Sequence, residues 1–167
     1  SGPDIAAAVT AFRAHCPQLT RIIAFGNCDA ASALLLHQPD VDGLVLTNIW
    51  VIEQQSDLPP PAAIKARYIE KLKNPHEWVR LFTGAVNLKK LAGGLLSVAK
   101  PAAPSSLAEK VAAGLTSFKG SISILLASKD NTAIAFADAW TGAAFKAARA
   151  RSDIKLTTID SASHSFA

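Results

Sequence analysis

Apolar positions along the chain alternate between two periods. Over residues 4–15, Ile5, Ala8, Val9 and Phe12 recur at the spacing of one helical face, with Asp4 placed to cap the start and Cys16-Pro17 to stop it. An apolar run at 21–25 ends at Gly26, and small residues follow. Ala33-Leu34-Leu35-Leu36 then resumes a helical pattern over Asp29–His37, closed by Pro39-Asp40. Leu44-Val45-Leu46 is a continuous apolar triplet, the pattern of a strand buried on both faces of a parallel sheet. Helix, strand, helix, strand predicts an α/β layer fold with crossover helices.

The pattern changes at Leu58-Pro59-Pro60-Pro61. Four helical segments are expected, at 62–73, 75–83, 86–99 and 106–118, broken at Asn74-Pro75, Gly84 and Pro101 to Pro104. They make a helical lid insertion over about residues 53–118, and such an insertion between parallel strands sits over the strands' C-terminal ends, where ligands bind. Lys65, Arg67, Lys71, Lys73, Arg80, Lys89 and Lys90 belong to solvated helix faces or to a lid that meets an anionic group. The sheet pattern returns at 120–128. A helix follows over 132–150 with Gly142 as a weak point, and Ile154–Ile159 alternates as a half-exposed strand.

Composition narrows the class. Half of the 167 residues are hydrophobic, enough for a packed core and against disorder. A net charge of +4 without dense basic runs or interleaved aromatics gives no support for nucleic-acid binding. Cys16 and Cys28 make neither a disulfide framework nor a metal pattern, which fits a reducing, cytoplasmic setting. No apolar run reaches about 18 residues, so no transmembrane segment is predicted. The chain has no initiator methionine and opens directly into a helix pattern, so its first residue is expected to be a cut end.

Cys28 carries the candidate chemistry. It stands between the strand at 21–25 and the helix at Asp29–His37, with small residues, Gly26 and Ala30, two positions on either side. That is G-x-C-x-A in place of G-x-S-x-G, the layout of a nucleophile elbow. The backbone N–H of Asp29, at the helix start, is placed to hold an oxyanion. The rival reading is a buried free thiol at a strand end. Asp130 and His164 also follow predicted strands, and parallel strands share one C-terminal edge. A thiol to attack, an imidazole to take its proton and a carboxylate to orient the imidazole would then meet in space. Asp130 is equally suited to cap the next helix with Asn131 and Thr132. Asp153 and Asp160 are rival acids, and Ser32 is a rival nucleophile one turn inside the elbow helix.

Gly26-Asn27-Cys28-Asp29-Ala30-Ala31-Ser32-Ala33 resembles the elbow of the hydrolase 1 family associated with the exosortase A system, within the α/β-hydrolases. The stretch from Gly43 to Val51 is similar to that family's next strand, Ser128-Lys129-Asp130-Asn131-Thr132-Ala133 to its acid-bearing turn, and Ser163-His164-Ser165-Phe166 to its histidine loop. Ile49 and Ser163 depart from the family pattern, which has a proline and an acidic residue there. The resemblance implies a partial α/β-hydrolase fold, residues 1–167 being the C-terminal part of the domain. It also implies a Cys28–Asp130–His164 triad and a role beside bacterial exopolysaccharide synthesis and export.

The chemistry expected is hydrolysis of an ester or thioester of a small acyl substrate, with no metal and no organic cofactor. The alternatives are an acyltransferase, which shares the acyl-enzyme, and a non-catalytic accessory protein of the same system. An active Cys28 is expected to have a depressed pKa, a structural thiol not. The family has strands before the elbow strand, and one of their loops supplies a second oxyanion donor. With that donor gone the expected loss is on the order of 100- to 1000-fold in rate. The elbow strand becomes an open edge, through which self-association is expected.

Overall fold

The computed structural model describes residues 2–53 and 105–167. The helices expected at 62–73, 75–83 and 86–99 lie outside the described residues. Ser1–Glu53 and Pro104–Ala167 form one unit.

Among the described residues four strands make a single sheet: β1 (Ile23–Asn27), β2 (Gly43–Thr47), β3 (Ser121–Ala127) and β4 (Ile154–Ile159). All pairings are parallel and the spatial order is the sequence order, β1-β2-β3-β4. The helices are α1 (Gly2–His15), α2 (Asp29–His37), α3 (Ser106–Ser117), α4 (Asn131–Thr141) and the short α5 (Lys146–Arg149), preceded by a 3₁₀ turn at Ala143–Phe145.

Stepping in one direction through right-handed crossovers puts successive helices on one face of the sheet. The register agrees. Gly26, Leu46, Ile124 and Leu156 form one row across the strands, and Ala24, Leu44, Ile122 and Ile154 the next. Both rows face Ala31, Leu34 and Leu35 of α2, Val111 and Leu115 of α3, Phe136 of α4 and Phe145. The opposite face carries Phe25, Val45, Ser123 and Lys155 in one row, and of these only Val45 is even half-buried. The triplet Leu44-Val45-Leu46 is thus fully buried on one face only, against the two-faced burial expected of it.

Several boundaries move. The first strand begins and ends two residues later than the apolar run, because the ladder with β2 extends to Asn27 opposite Thr47. Asp4 lies inside the first turn of α1 and not before it, and its charge favours the N-terminal end of the helix dipole. The helix expected over 132–150 stops at Thr141. Gly142 takes an extended φ of −70° and ψ of 168°, and the 3₁₀ turn and α5 follow. The helix expected at 106–118 is α3, which lies in the same unit as the sheet and packs on α2. Gly114 lets α3 approach so closely that a Cβ there would fall 2.5 Å from the Leu35 carbonyl oxygen.

Three side chains, Ser105, Glu53 and Arg151, fasten the two ends of α3. At its start the Ser105 hydroxyl accepts from Ala108 N and lies 2.8 Å from the Val51 carbonyl, to which it donates. Glu53 accepts from Leu107 N at 3.0 Å and from the Ser106 hydroxyl. The chain segments on either side of 54–104 are therefore buttoned together. At its end Arg151 donates to the carbonyls of Leu115, Thr116, Phe118 and Gly120 while Asp153 grips the same guanidinium at 2.6 and 2.9 Å.

Candidate active site

β1 runs out at Asn27 and α2 begins at Asp29, so Cys28 alone makes the turn, with φ 58° and ψ −119°. A side chain with a Cβ pays strain there, of order 1–3 kcal/mol, and such strain gathers at functional sites. The surroundings hold it. Cys28 N–H donates to the Thr47 carbonyl at 2.9 Å, and its own carbonyl accepts from Ser32 N and Trp50 N at 3.3 and 3.2 Å. Gly26 is required: a Cβ on it would stand 2.8 Å from backbone atoms of Ala31. Ala30, the other small elbow residue, is exposed.

Asp130 and His164 meet. Asp130 Oδ1 lies 3.1 Å from His164 Nδ1 while Oδ2 accepts from Ala133 N at 3.0 Å. The carboxylate is both the cap of α4 and the partner of the imidazole, one oxygen for each. Asp130 is buried and His164 exposed. The histidine loop is held to the β3–α4 turn by Lys129 N–H on the Ala162 carbonyl and Ser161 N–H on the Ser128 hydroxyl. A carboxylate on Nδ1 calls for the Nδ1–H tautomer, which leaves Nε2 as a base.

Cys28 lies among these groups. Burial raises its pKa above the ordinary thiol value of 9.0, and the carboxylates of Asp29 and Asp130 add to the rise. The Asp29 backbone N–H and the Thr132 hydroxyl favour the thiolate but do not offset them. The depressed pKa expected of an active cysteine is therefore not found; the thiol is protonated at neutral pH. No hydrogen bond joins Sγ to the imidazole. His164 Nε2 instead faces Asn27 Nδ2 at 3.4 Å.

The rivals fall elsewhere. Ser32 is buried with its hydroxyl on the Trp50 carbonyl at 2.5 Å. Asp153 precedes β4, at the opposite end of the strand from the histidine loop, and is paired with Arg151. Asp160 is exposed. The residues at the site that the sequence pattern did not single out are Asn27, Thr47 and Asn48, and Thr132 was expected there only as a capping residue. Asn48 is fully buried with φ 46°. It accepts from Ala127 N and donates to the His164 carbonyl at 2.9 and 3.0 Å, so it ties β2, β3 and the histidine loop together. A polar residue directly after an apolar strand, opposite the elbow, was the signal available for it. Among the described residues no group of three His, Cys, Asp or Glu side chains is placed to hold a metal ion. No described helix is long and apolar enough to cross a membrane.

The strand–elbow–helix unit, the parallel sheet and the acid and histidine turns along its C-terminal edge are α/β-hydrolase architecture. The chain is similar to the peroxisomal α/β-hydrolase Lpx1 of Saccharomyces cerevisiae, with a TM-score of 0.50 and 12% identity over 98% of this chain and 52% of that one. An α/β-hydrolase from a lagoon-sediment metagenome of Mar Chica, Morocco, aligns at 0.47 and 19% identity, over 98% of this chain and 61% of its own. The esterase domain of a Rhodothermus marinus protein aligns at 0.44 and 15%, over 94% and 60%. The chain thus spans between half and two thirds of the length of these structures. No protein-family model matches the chain, and no curated protein matches its sequence.

Proposed function

We propose that the chain carries the centre of an acyl hydrolase acting on esters or thioesters, with Cys28 as nucleophile, His164 as base and then acid, and Asp130 orienting His164. The observation that supports this most directly is the Asp130–His164 pair at 3.1 Å beside an elbow whose only side chain at the turn is a thiol. In this reading the thiol is activated only as it attacks. The S–C bond forms while the thiol proton passes to Nε2, and the carbonyl electron pair moves to oxygen, facing Asp29 N–H. Collapse expels the alcohol or thiol, which takes the proton from Nε2, and water repeats the sequence on the thioester. Catalytic hydrogen bonds are commonly long until substrate binds, which accommodates the open Sγ–Nε2 contact.

The resemblance of the elbow and of the strand after it supports a place in an exosortase and exopolysaccharide system, in a bacterial cytoplasm that keeps Cys16 and Cys28 reduced. The aligned lengths support residues 1–167 as part of a larger hydrolase domain. Exposed Ile23 and Phe25 on β1, 54 and 66% accessible, support self-association at that edge. A sugar hydroxyl in place of water would make the same centre an acyltransferase. The raised thiol favours one rival, a non-catalytic accessory protein that keeps the fold.

Mass spectrometry after brief exposure to short-chain aryl esters and thioesters tests the proposal. An acyl adduct on Cys28 that is lost in His164→Ala is expected. Hydrolysis that persists in Cys28→Ala, or no adduct with any acyl donor, would refute it.

A further inference from the structure

We infer that Asn27 is a positioning residue of this centre: its side-chain amide holds the Nε2 lone pair of His164 and keeps Cys28 and His164 a neutral thiol–imidazole pair until substrate draws the ring away. The inference deepens the function proposed above and rests on it for its catalytic meaning.

Strand register supplies the geometry. Asn27 pairs with Thr47 across β1 and β2, and the Thr47 hydroxyl lies 2.8 Å from Asn27 Oδ1. Asn48 Nδ2 approaches the same oxygen at 3.3 Å. Asn48 cannot turn over, because its own oxygen accepts from Ala127 N and its nitrogen donates to the His164 carbonyl. Asn48 Nδ2, which can only donate, therefore fixes Oδ1 of Asn27 inward beside the Thr47 hydroxyl, whose other acceptor is the Gly26 carbonyl at 3.4 Å, and the Asn27 NH₂ group faces outward. It faces Nε2 at 3.4 Å, while Asp130 stands at Nδ1 at 3.1 Å. The ring is gripped from both sides, and both grips demand the same neutral tautomer, with its proton on Nδ1.

The consequence appears when the proton moves. If Nε2 takes the Cys28 proton where it stands, its new N–H confronts the N–H of Asn27. Neither group has a lone pair to offer, and the amide is not free to flip. The new N–H finds no acceptor on Asn27, so the ring must leave Asn27 for the sulfur and the leaving group. A 3.4 Å contact is long for a hydrogen bond, which makes that release inexpensive. The charged and polar groups facing Cys28 act in the same sense: Asp29 on α2 and Asp130 before α4 oppose the thiolate, and only the Thr132 hydroxyl and Asp29 N–H favour it.

Two experiments test the assignment without any acyl substrate. In the first, nitrogen NMR of the unmodified protein in alkaline buffer, with His164→Ala to identify the signals, should find the His164 proton on Nδ1 and Nε2 as an acceptor. A proton on Nε2 would overturn the inference. In the second, Cys28 labelling by iodoacetamide near neutral pH is followed by mass. Asn27→Ala should label about 2- to 3-fold faster, the worth of a long, weak hydrogen bond. Thr47→Val, which removes one donor from Oδ1, should show part of that gain. The gain should vanish when His164→Ala is added to either variant. Labelling unchanged in both variants, or a gain indifferent to His164, would mark Asn27 as structural only and overturn the inference. Failure to trap an acyl-enzyme would refute the proposed function and leave these two readouts intact.

Discussion

Asp130 does two jobs with two oxygens, and substitution can separate them. Asparagine caps a helix about as well as aspartate, whereas alanine does not, at a cost of about 1 kcal/mol. In a chain of 167 residues that is a fall of about 2–4 °C in melting temperature. In Asp130→Asn the remaining oxygen should stay on Ala133 N–H, which turns the amide NH₂ toward His164 Nδ1. Nδ1 must then be the acceptor, the ring proton moves to Nε2, and the base is lost. Wrong-tautomer substitutions of this kind cost on the order of 10⁴ in kcat. Thermal melting and turnover of a short-chain thioester, measured on Asp130→Asn and Asp130→Ala side by side, give the assay. Asp130→Asn should melt with the unsubstituted protein yet be as inactive as Asp130→Ala, which alone should lose the few degrees. Turnover of Asp130→Asn within tenfold of the unsubstituted protein would refute the orienting role. Equal melting of the two variants, both lowered, would refute the division between the oxygens.

Three further predictions follow from the same geometry. Because burial and two carboxylates hold the Cys28 thiol above its ordinary value, iodoacetamide labelling should rise with pH through a midpoint above that of a free thiol; a plateau already reached below neutrality would contradict this sign. Gly26→Ala places a Cβ 2.8 Å from the Ala31 backbone and should destabilise the chain by about 1–3 kcal/mol in urea unfolding, displacing Cys28 as well. Arg151→Ala leaves four carbonyls around the end of α3 without their donor and should cost about 2–3 kcal/mol. Arg151→Lys should recover little of this, since an ammonium cannot reproduce the planar fork that also grips Asp153.

The strands, the elbow and the three residue types along one sheet edge were legible because each depends on local pattern. An apolar run ending in Gly26 announces a turn whatever lies around it, and parallel strands bring their C-terminal ends together. The polar network was not legible, because it is a product of register. That Thr47 would stand opposite Asn27 depends on a ladder that runs two residues beyond the apolar run, and strand ends are where periodicity fades. The Asp130 hydrogen bonds show a related limit. Capping and orienting looked like competing uses of one side chain until its two oxygens had positions. Gly142 was noticed as a weak point in a helical stretch but not as its end, since the Phe136 and Phe145 rings that pack edge to face beyond it are tertiary contacts. The Cys28 ionisation was left open by the sequence for a similar reason: the burial and the Asp130 charge that raise it come from the folded neighbourhood.

The clasp at Val51, Glu53 and Ser105 has an entropic consequence. Both sides of it are fastened to the start of α3, so the sheet unit need not know what is threaded between them. Closing a longer or shorter excursion changes the ring-closure entropy by only about 0.6 kcal/mol per doubling of length. The chain between Glu53 and Ser105 can therefore change in length at little cost to the closure of the clasp.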